Sequence, residues 1–303
     1  MLGETGIGAT LPRGFPQTQD YLPLGTASVS VDWARTRYRF NALGHEEAAL
    51  IEQRYGDLSK HKDTATPPID ITLRLMDASL FTTIEPSGWQ YAIELQQTQD
   101  TVWCMGWQWM AKIEKNHGLR STVWTSRRHD RFFLDPIDNI FRILCCYQFC
   151  KQGGVVLHSA GVENDGQAYI FFGPSGAGKS TLCGISEKQG YNILSDELNA
   201  LLPSRDGWTV CPLPFAGDFG RTIAEDRARP LKGIYRIIQD PDGFLSAMPR
   251  GQALATLVAA SPYVNHDQTI LDRLIENLND LTTHKPVKRL GFALNPSFWQ
   301  RLL

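Results

Sequence analysis

The sequence predicts a mixed α/β (α+β) protein in two parts. These are a mainly β module over residues 1–130 and a phosphate-loop domain over 131–303. Three observations lead there. Short alternating stretches such as Ile69-Asp70-Ile71-Thr72-Leu73-Arg74-Leu75 recur through the first part, and a period of two belongs to strands with one buried face. The second part holds Gly173-Pro174-Ser175-Gly176-Ala177-Gly178-Lys179-Ser180-Thr181, which fits G-x-x-x-x-G-K-[ST]. That loop is fed by a hairpin, and further strand pairs follow it, so the sheet departs from the all-parallel arrangement with long crossovers.

Taken in order, residues 1–25 are rich in Gly, Pro and Thr and read as a loose arm. Ala27 to Phe40 alternates twice and suggests strands. Gly44 to Tyr55 suggests a helix, with Glu46 and Glu47 in the first turn where they favour its dipole. Asp57 to Pro68 is polar and reads as a loop, and Ile69 to Met76 as a strand. Trp89 to Gln96 and Thr101 to Met110 read as two further strands. Trp103, Trp107 and Trp109 would then lie on one side of a strand, which indicates a core or an interface rather than a base-stacking platform.

A helix is expected from Asp135 to Lys151. Val155 to Val162 and Gln167 to Phe172 read as a hairpin around Glu163-Asn164-Asp165-Gly166. Leu182 onward is helical in composition until Gly190, and Tyr191 to Ser195 is a strand ending at Asp196-Glu197. Leu198 to Leu202 pairs with Trp208 to Cys211 around Ser204-Arg205-Asp206-Gly207. A long loop runs from Pro212 to Pro230. Lys232 to Gln239 and Val287 to Ala293 read as strands, and Arg250 to Ala260 and Asp267 to Thr282 as helices.

Composition narrows the function classes. Of 303 residues, 30 are Lys or Arg and 32 are Asp or Glu, for a net charge of -2, so no global field draws the chain to nucleic acid or an anionic membrane. No basic-then-apolar run opens the chain, and no apolar run reaches the roughly 18–20 residues of a membrane helix. The expectation is a cytoplasmic protein. Cys104, Cys145, Cys146, Cys150, Cys183 and Cys211 form no C-x-x-C pair, which argues against zinc. Three of them cluster among Phe141, Ile143, Leu144, Tyr147 and Phe149, as small buried apolar groups do.

The loop carries the chemistry. Glycines let successive backbone N–H groups face a phosphate, and the helix that starts there adds positive potential. Gly173, Pro174, Ser175, Gly176, Ala177, Gly178, Lys179, Ser180 and Thr181 are therefore the nucleotide-binding residues expected. Lys179 reaches the β/γ-phosphates and Ser180 holds Mg²⁺. Asp196, at a strand end, suits a general base that takes a hydroxyl proton, or alternatively a cap on the next turn. His158 in its apolar strand is either a satisfied core residue or a partner to Asp196 or a phosphate oxygen. Glu197 is a metal ligand or a solvated carboxylate. Arg221, in the glycine-rich loop after Gly217, could close on the transferring group or sit on the surface.

Residues 150–240 resemble the HPr serine kinase/phosphorylase superfamily, whose core is related to phosphoenolpyruvate carboxykinase. Three segments carry the resemblance: Leu157-His158-Ser159-Ala160-Gly161-Val162, the loop from Gly173 to Thr181, and Ile193-Leu194-Ser195-Asp196-Glu197. His158 lies 15 residues before Gly173 and Asp196 lies 17 after Lys179. Pro212 to Asp218 and Pro230 to Tyr235 look like stand-alone members from bacterial biosynthetic clusters, some of which phosphorylate peptides. The resemblance implies that Asp196 is the catalytic aspartate, that His158 stands beside it, and that Glu197 is a second acidic residue. The family's phosphorylase signature is not recognisable in the C-terminal part, and residues 1–130 do not resemble its N-terminal domain. The resemblance therefore implies the kinase direction, with ATP and Mg²⁺, and weakens the case for HPr itself as the acceptor.

Three functional readings follow. The first is an ATP-dependent kinase acting on a serine or threonine hydroxyl of a peptide or protein. The second is a kinase of a small hydroxyl metabolite, and the third a nucleotide-binding regulator without kinase activity. Binding the acceptor peptide, covering the sheet and homo-oligomer formation are the roles open to the N-terminal module.

Overall fold

The structure, a computed structural model, describes residues 22–34, 36–56, 67–81, 93–116, 118–126, 128, 131–215, 217 and 227–303. The chain divides into two compact units, Met1–Leu144 and Cys145–Leu303.

The first unit is a seven-stranded sheet. Its elements are β1 (Ala27–Trp33), β2 (Thr36–Leu43), α1 (His45–Tyr55), β3 (Ile69–Leu75), β4 (Glu94–Gln97), β5 (Thr101–Gly106), β6 (Trp109–Glu114) and β7 (Arg120–Thr125). The strand order is β1-β2-β3-β7-β6-β5-β4. β2 with β3 and β3 with β7 run parallel, and the other pairs are antiparallel. The alternation in β1 and β3 follows from sidedness: Val29 and Val31, like Ile69, Ile71 and Leu73, are buried.

The single strand expected from Thr101 to Met110 is instead a hairpin. The chain reverses at Trp107-Gln108, where Gln108 has φ 58°. The three tryptophans therefore do not share one side of one strand. Trp103 stacks on Trp124 at 5.9 Å, Trp107 meets Phe132 edge-on at 5.3 Å, and Trp109 is buried. Trp103 and Trp109 are core residues as one of the expected roles has it, and Trp107 is half-buried. The expected strand at Trp89 to Gln96 is seen from Glu94 onward; residues 89–92, like the arm at 1–21 and most of the loop at 57–68, lie outside the described residues. α2 (Leu134–Lys151) runs through the point where the units divide, and its three cysteines are buried free thiols.

The second unit is an eight-stranded sheet. In chain order it contains β8 (Val155–Asn164), β9 (Gln167–Phe172), α3 (Lys179–Lys188), β10 (Asn192–Ser195), β11 (Leu198–Ser204), β12 (Gly207–Pro212), β13 (Arg229–Gln239), β14 (Phe244–Ala247), α4 (Arg250–Ala259), α5 (Gln268–His284) and β15 (Val287–Phe292). Asp165 and Gly166 both have positive φ, 49° and 74°, the geometry of a two-residue hairpin turn between β8 and β9.

Two strands organise this sheet. The first half of β8 pairs with β11 and its second half with β9. β13 pairs with β12 at its start and with β9 and β15 along the rest. β9 is antiparallel to β8 and parallel to β13, so the glycine loop leaves a mixed sheet. On one face α3 packs over Ala160, Phe171, Tyr235, Ile237, Leu290 and Phe292. α5 is amphipathic: Ile270, Leu274, Leu278 and Leu281 are buried, each such side chain being worth about 1.5–3 kcal/mol. Asp267 caps it by accepting from the Thr269 amide, and the Tyr147 hydroxyl donates to the same carboxylate at 2.6 Å. No helix among the described residues is long and apolar enough to cross a membrane.

Candidate functional site

The site forms where β9 ends. Gly173 leaves the strand against Ala177 and Ile237; a Cβ there would stand 2.9 Å from the Ala177 Cβ. Gly178 has φ 101°, and a Cβ on it would stand 2.8 Å from the Phe292 ring. Both positions exclude a side chain on steric grounds. Pro174, Ser175, Gly176 and Thr181 are exposed, so the loop opens to solvent. α3 starts at Lys179 with no side chain capping it, and the amides at a helix start are where an anion binds. Lys179 is buried along its stem, and its Nζ donates to the Gly173 carbonyl at 3.3 Å.

Asp196 is carried in by a short turn. The Ser195 hydroxyl accepts from the Glu197 and Leu198 amides at 3.1 and 3.3 Å, which turns the chain out of β10 and into β11. The carboxylate is buried, and its two oxygens are engaged separately. Oδ2 accepts from the Ser180 hydroxyl at 3.3 Å and Oδ1 from the Gly217 amide at 3.1 Å. Gly217 fits because it lacks a side chain: a Cβ there would stand 2.7 Å from both oxygens. Ser180 and Asp196 are thus brought together, with Lys179 one residue away.

His158 and Glu197 lie beside them. Nε2 of His158 is 3.9 Å from Oε2 of Glu197, and both side chains are partly exposed. β8 and β11 hold the two, since His158 pairs with Leu198 and the Ser159 amide donates to the Glu197 carbonyl at 3.1 Å. Asn199 fastens the same corner by donating to the Ser159 carbonyl at 2.8 Å. Burial first, then the Asp196 and Glu187 carboxylates, push the Cys183 thiol far above its usual range, so this neighbour stays protonated. Arg221 lies outside the described residues.

A magnesium ion suits such oxygen donors. Mg²⁺ is held by one or two protein oxygens together with substrate phosphates and water, not by an all-protein cage. Ser180 supplies one such oxygen, and among the described residues no group of three His, Cys, Asp or Glu gathers to bind a metal alone.

Three contributors were not singled out from sequence. Gly217 and Asn199 support Asp196 and the β8 corner. Arg236 lines a pocket that begins at Phe172, Gly173 and Pro174. None has a local motif; sheet pairing and a returning loop bring them in.

Residues 136–302 match the family described as SynChlorMet cassette protein ScmC. The chain belongs to this family. The match takes in all the site residues above and the sheet that carries them. No curated protein matches the chain.

Proposed function

We propose that the chain is an ATP-dependent kinase that moves the γ-phosphoryl group to a serine or threonine hydroxyl of a peptide or protein. The observation that carries the reading is the buried Asp196 carboxylate, 3.3 Å from the Ser180 hydroxyl at the head of α3. A carboxylate in that position supports a general-base role beside the residue that the loop motif assigns to metal and phosphate. The resemblance to the HPr serine kinase superfamily supports the same assignment.

In this reading the loop amides and Lys179 bind the β- and γ-phosphates. Mg²⁺ held by Ser180 would supply charge neutralisation during the transfer. Asp196 takes the acceptor hydroxyl's proton as its oxygen bonds to the γ-phosphorus and the bond to ADP breaks. The Gly217 amide holds the Asp196 carboxylate in place. Glu197, 3.9 Å from His158, fixes the histidine beside the base or reaches a metal-bound water. A cytoplasmic setting belongs to this reading.

Labelled ATP, incubated with the protein and a pool of serine peptides, tests it. Lys179→Ala should abolish transfer and weaken nucleotide binding. Asp196→Asn should keep Mg-ATP affinity and lose transfer by about 100-fold or more, the scale of general-base catalysis. Full turnover in Asp196→Asn would remove Asp196 as the base. Label found only in inorganic phosphate, or only in a small molecule, would overturn the peptide-kinase reading.

A further inference from the structure

The face of the second sheet that lies opposite α3 carries two arginines side by side. Arg236 on β13 is aligned with Arg289 on β15, which is aligned with Ser246 on β14. Aligned partners share a face, so the three side chains form a row across three strands. Nothing among the described residues pairs with them: the Arg289 Nε and the Ser246 hydroxyl are buried without a hydrogen-bond partner, and Arg236 has no ion pair or hydrogen bond there. Asp240, just past the end of β13, is turned into the following turn, where it accepts from the Asp242 and Gly243 amides at 3.1 and 2.9 Å.

Two like charges placed together in a partly buried row repel, and unfilled donors there cost free energy. An anion removes both costs. The row has an opening: Arg236 lines a pocket of about 180 Å³ with Phe172, Gly173, Pro174, Thr256, Ala259 and Ala260. Two contacts tie the pocket to the site. Gly173 accepts from the Lys179 Nζ, and the Ala260 carbonyl accepts from the His158 amide at 2.8 Å. The pocket therefore borders the start of the glycine loop.

We propose that Arg236, backed by Arg289 and Ser246, binds a carboxylate carried by the phosphoryl acceptor, so that the kinase selects acidic acceptors. This rests on the kinase reading for the acceptor's role but not for the anion site itself. Arg236 supplies a planar fork that fits a carboxylate with two parallel bonds. The shallow pocket takes one such group and leaves the hydroxyl toward Asp196. The carboxylate is an acidic side chain, or the free C-terminus, of a peptide.

The test uses the full chain and has two arms. In the first, succinate and inorganic phosphate are titrated calorimetrically without nucleotide, followed by a separate Mg-ATP titration. Arg236→Gln should weaken the succinate interaction about 10- to 100-fold, as expected for the loss of a charge-assisted pair, while Mg-ATP affinity is kept. Arg236→Lys should recover part of the loss. In the second, serine peptides that differ only by Glu or Gln near the serine, or by a free or amidated C-terminus, are compared as acceptors. The wild type should prefer the carboxylate member by about 10-fold in kcat/KM, Arg236→Gln should lose the preference, and the pair that responds identifies the source of the carboxylate. Thr256→Glu, on the exposed side of α4, puts a competing carboxylate into the pocket and should mimic the loss without touching the sheet. Equal succinate binding by wild type and Arg236→Gln would overturn the site. So would a fall in Mg-ATP affinity as large as that of Lys179→Ala, because the guanidinium would then hold the nucleotide. Loss of succinate binding with no transfer to any peptide would sink the kinase reading and leave the anion site standing.

Discussion

The two ends of the second sheet treat charge in opposite ways. At the start of β13, Arg229 donates to Glu163 at 2.8 Å, both side chains are buried, and Arg227 adds a second bond at 3.0 Å. The charges there are closed on each other. At the far end of β13, Arg236 is aligned with Arg289 on β15, and no carboxylate pairs with either among the described residues. Folding alone favours the closed arrangement, since an unsatisfied buried charge costs free energy. The open end is the one that needs a ligand. Where a protein breaks a local rule and the rest of the sheet keeps it, the break marks function.

The largest expected effect falls on the closed end. Arg229→Ala leaves the Glu163 carboxylate buried with one exposed partner, and such a removal costs about 3–5 kcal/mol. Urea unfolding should show this as a lower midpoint with an unchanged slope. Mg-ATP affinity of the folded fraction should not change. A variant that kept its midpoint but lost nucleotide affinity would erase the contrast between the two ends. Arg236→Gln should do the reverse: it relieves repulsion, so the midpoint should hold or rise while anion binding falls.

A second, smaller effect concerns the core beneath both ends. Burial pushes the Cys150 thiol up to about 11, against weaker opposing effects of Arg273 and Lys151. The folded state then keeps its proton where the unfolded chain has lost it. The stability this contributes is present below about pH 9 and is lost as pH rises from 9 to 11. The two-unit displacement corresponds to about 2–3 kcal/mol at most. Urea midpoints measured across that range, for wild type and Cys150→Ala, check the sign, and the variant should have the shallower alkaline limb. A limb of equal depth would place the open charges over a core that is not sealed.

How much of this was legible in the sequence follows from range. The glycine loop, α3 and the turn at Asp196 are written in consecutive residues, and the structure places them together as their spacing suggests. Most strands showed themselves by alternation, and Asp165-Gly166 announced its hairpin. The reversal at Trp107-Gln108 did not, because it forces a glutamine into positive φ with no glycine or asparagine to signal it. β14 was missed because its four residues pair only with β15, some forty residues later. The same reason hid the arginine row. Arg236 reads as one polar residue on a strand, and only the parallel register with β15 sets it beside Arg289. Gly217 was visible as a glycine in a loop, but its contact with Asp196 spans 21 residues.

Gly217 carries the smallest predicted effect and the most local one. Alanine at 217 puts its Cβ into the space 2.7 Å from both Asp196 oxygens. Either the loop backs away and the amide bond at 3.1 Å is lost, or the carboxylate swings from the Ser180 hydroxyl. Both outcomes move the proposed base by a fraction of an ångström to an ångström, and misplacement on that scale costs up to about 100-fold. Since the glycine has φ outside the left-handed region, the backbone itself accepts alanine, and about 10-fold is the expected loss in kcat. Nucleotide affinity and the urea midpoint should stay as in wild type, because Gly217 has no side chain to give a phosphate ligand or a buried charge. A fall in Mg-ATP affinity instead of kcat would mean that the residue shapes the phosphate cradle and that Asp196 tolerates movement. An open end whose geometry tolerated such a clash would not be a site built around that carboxylate.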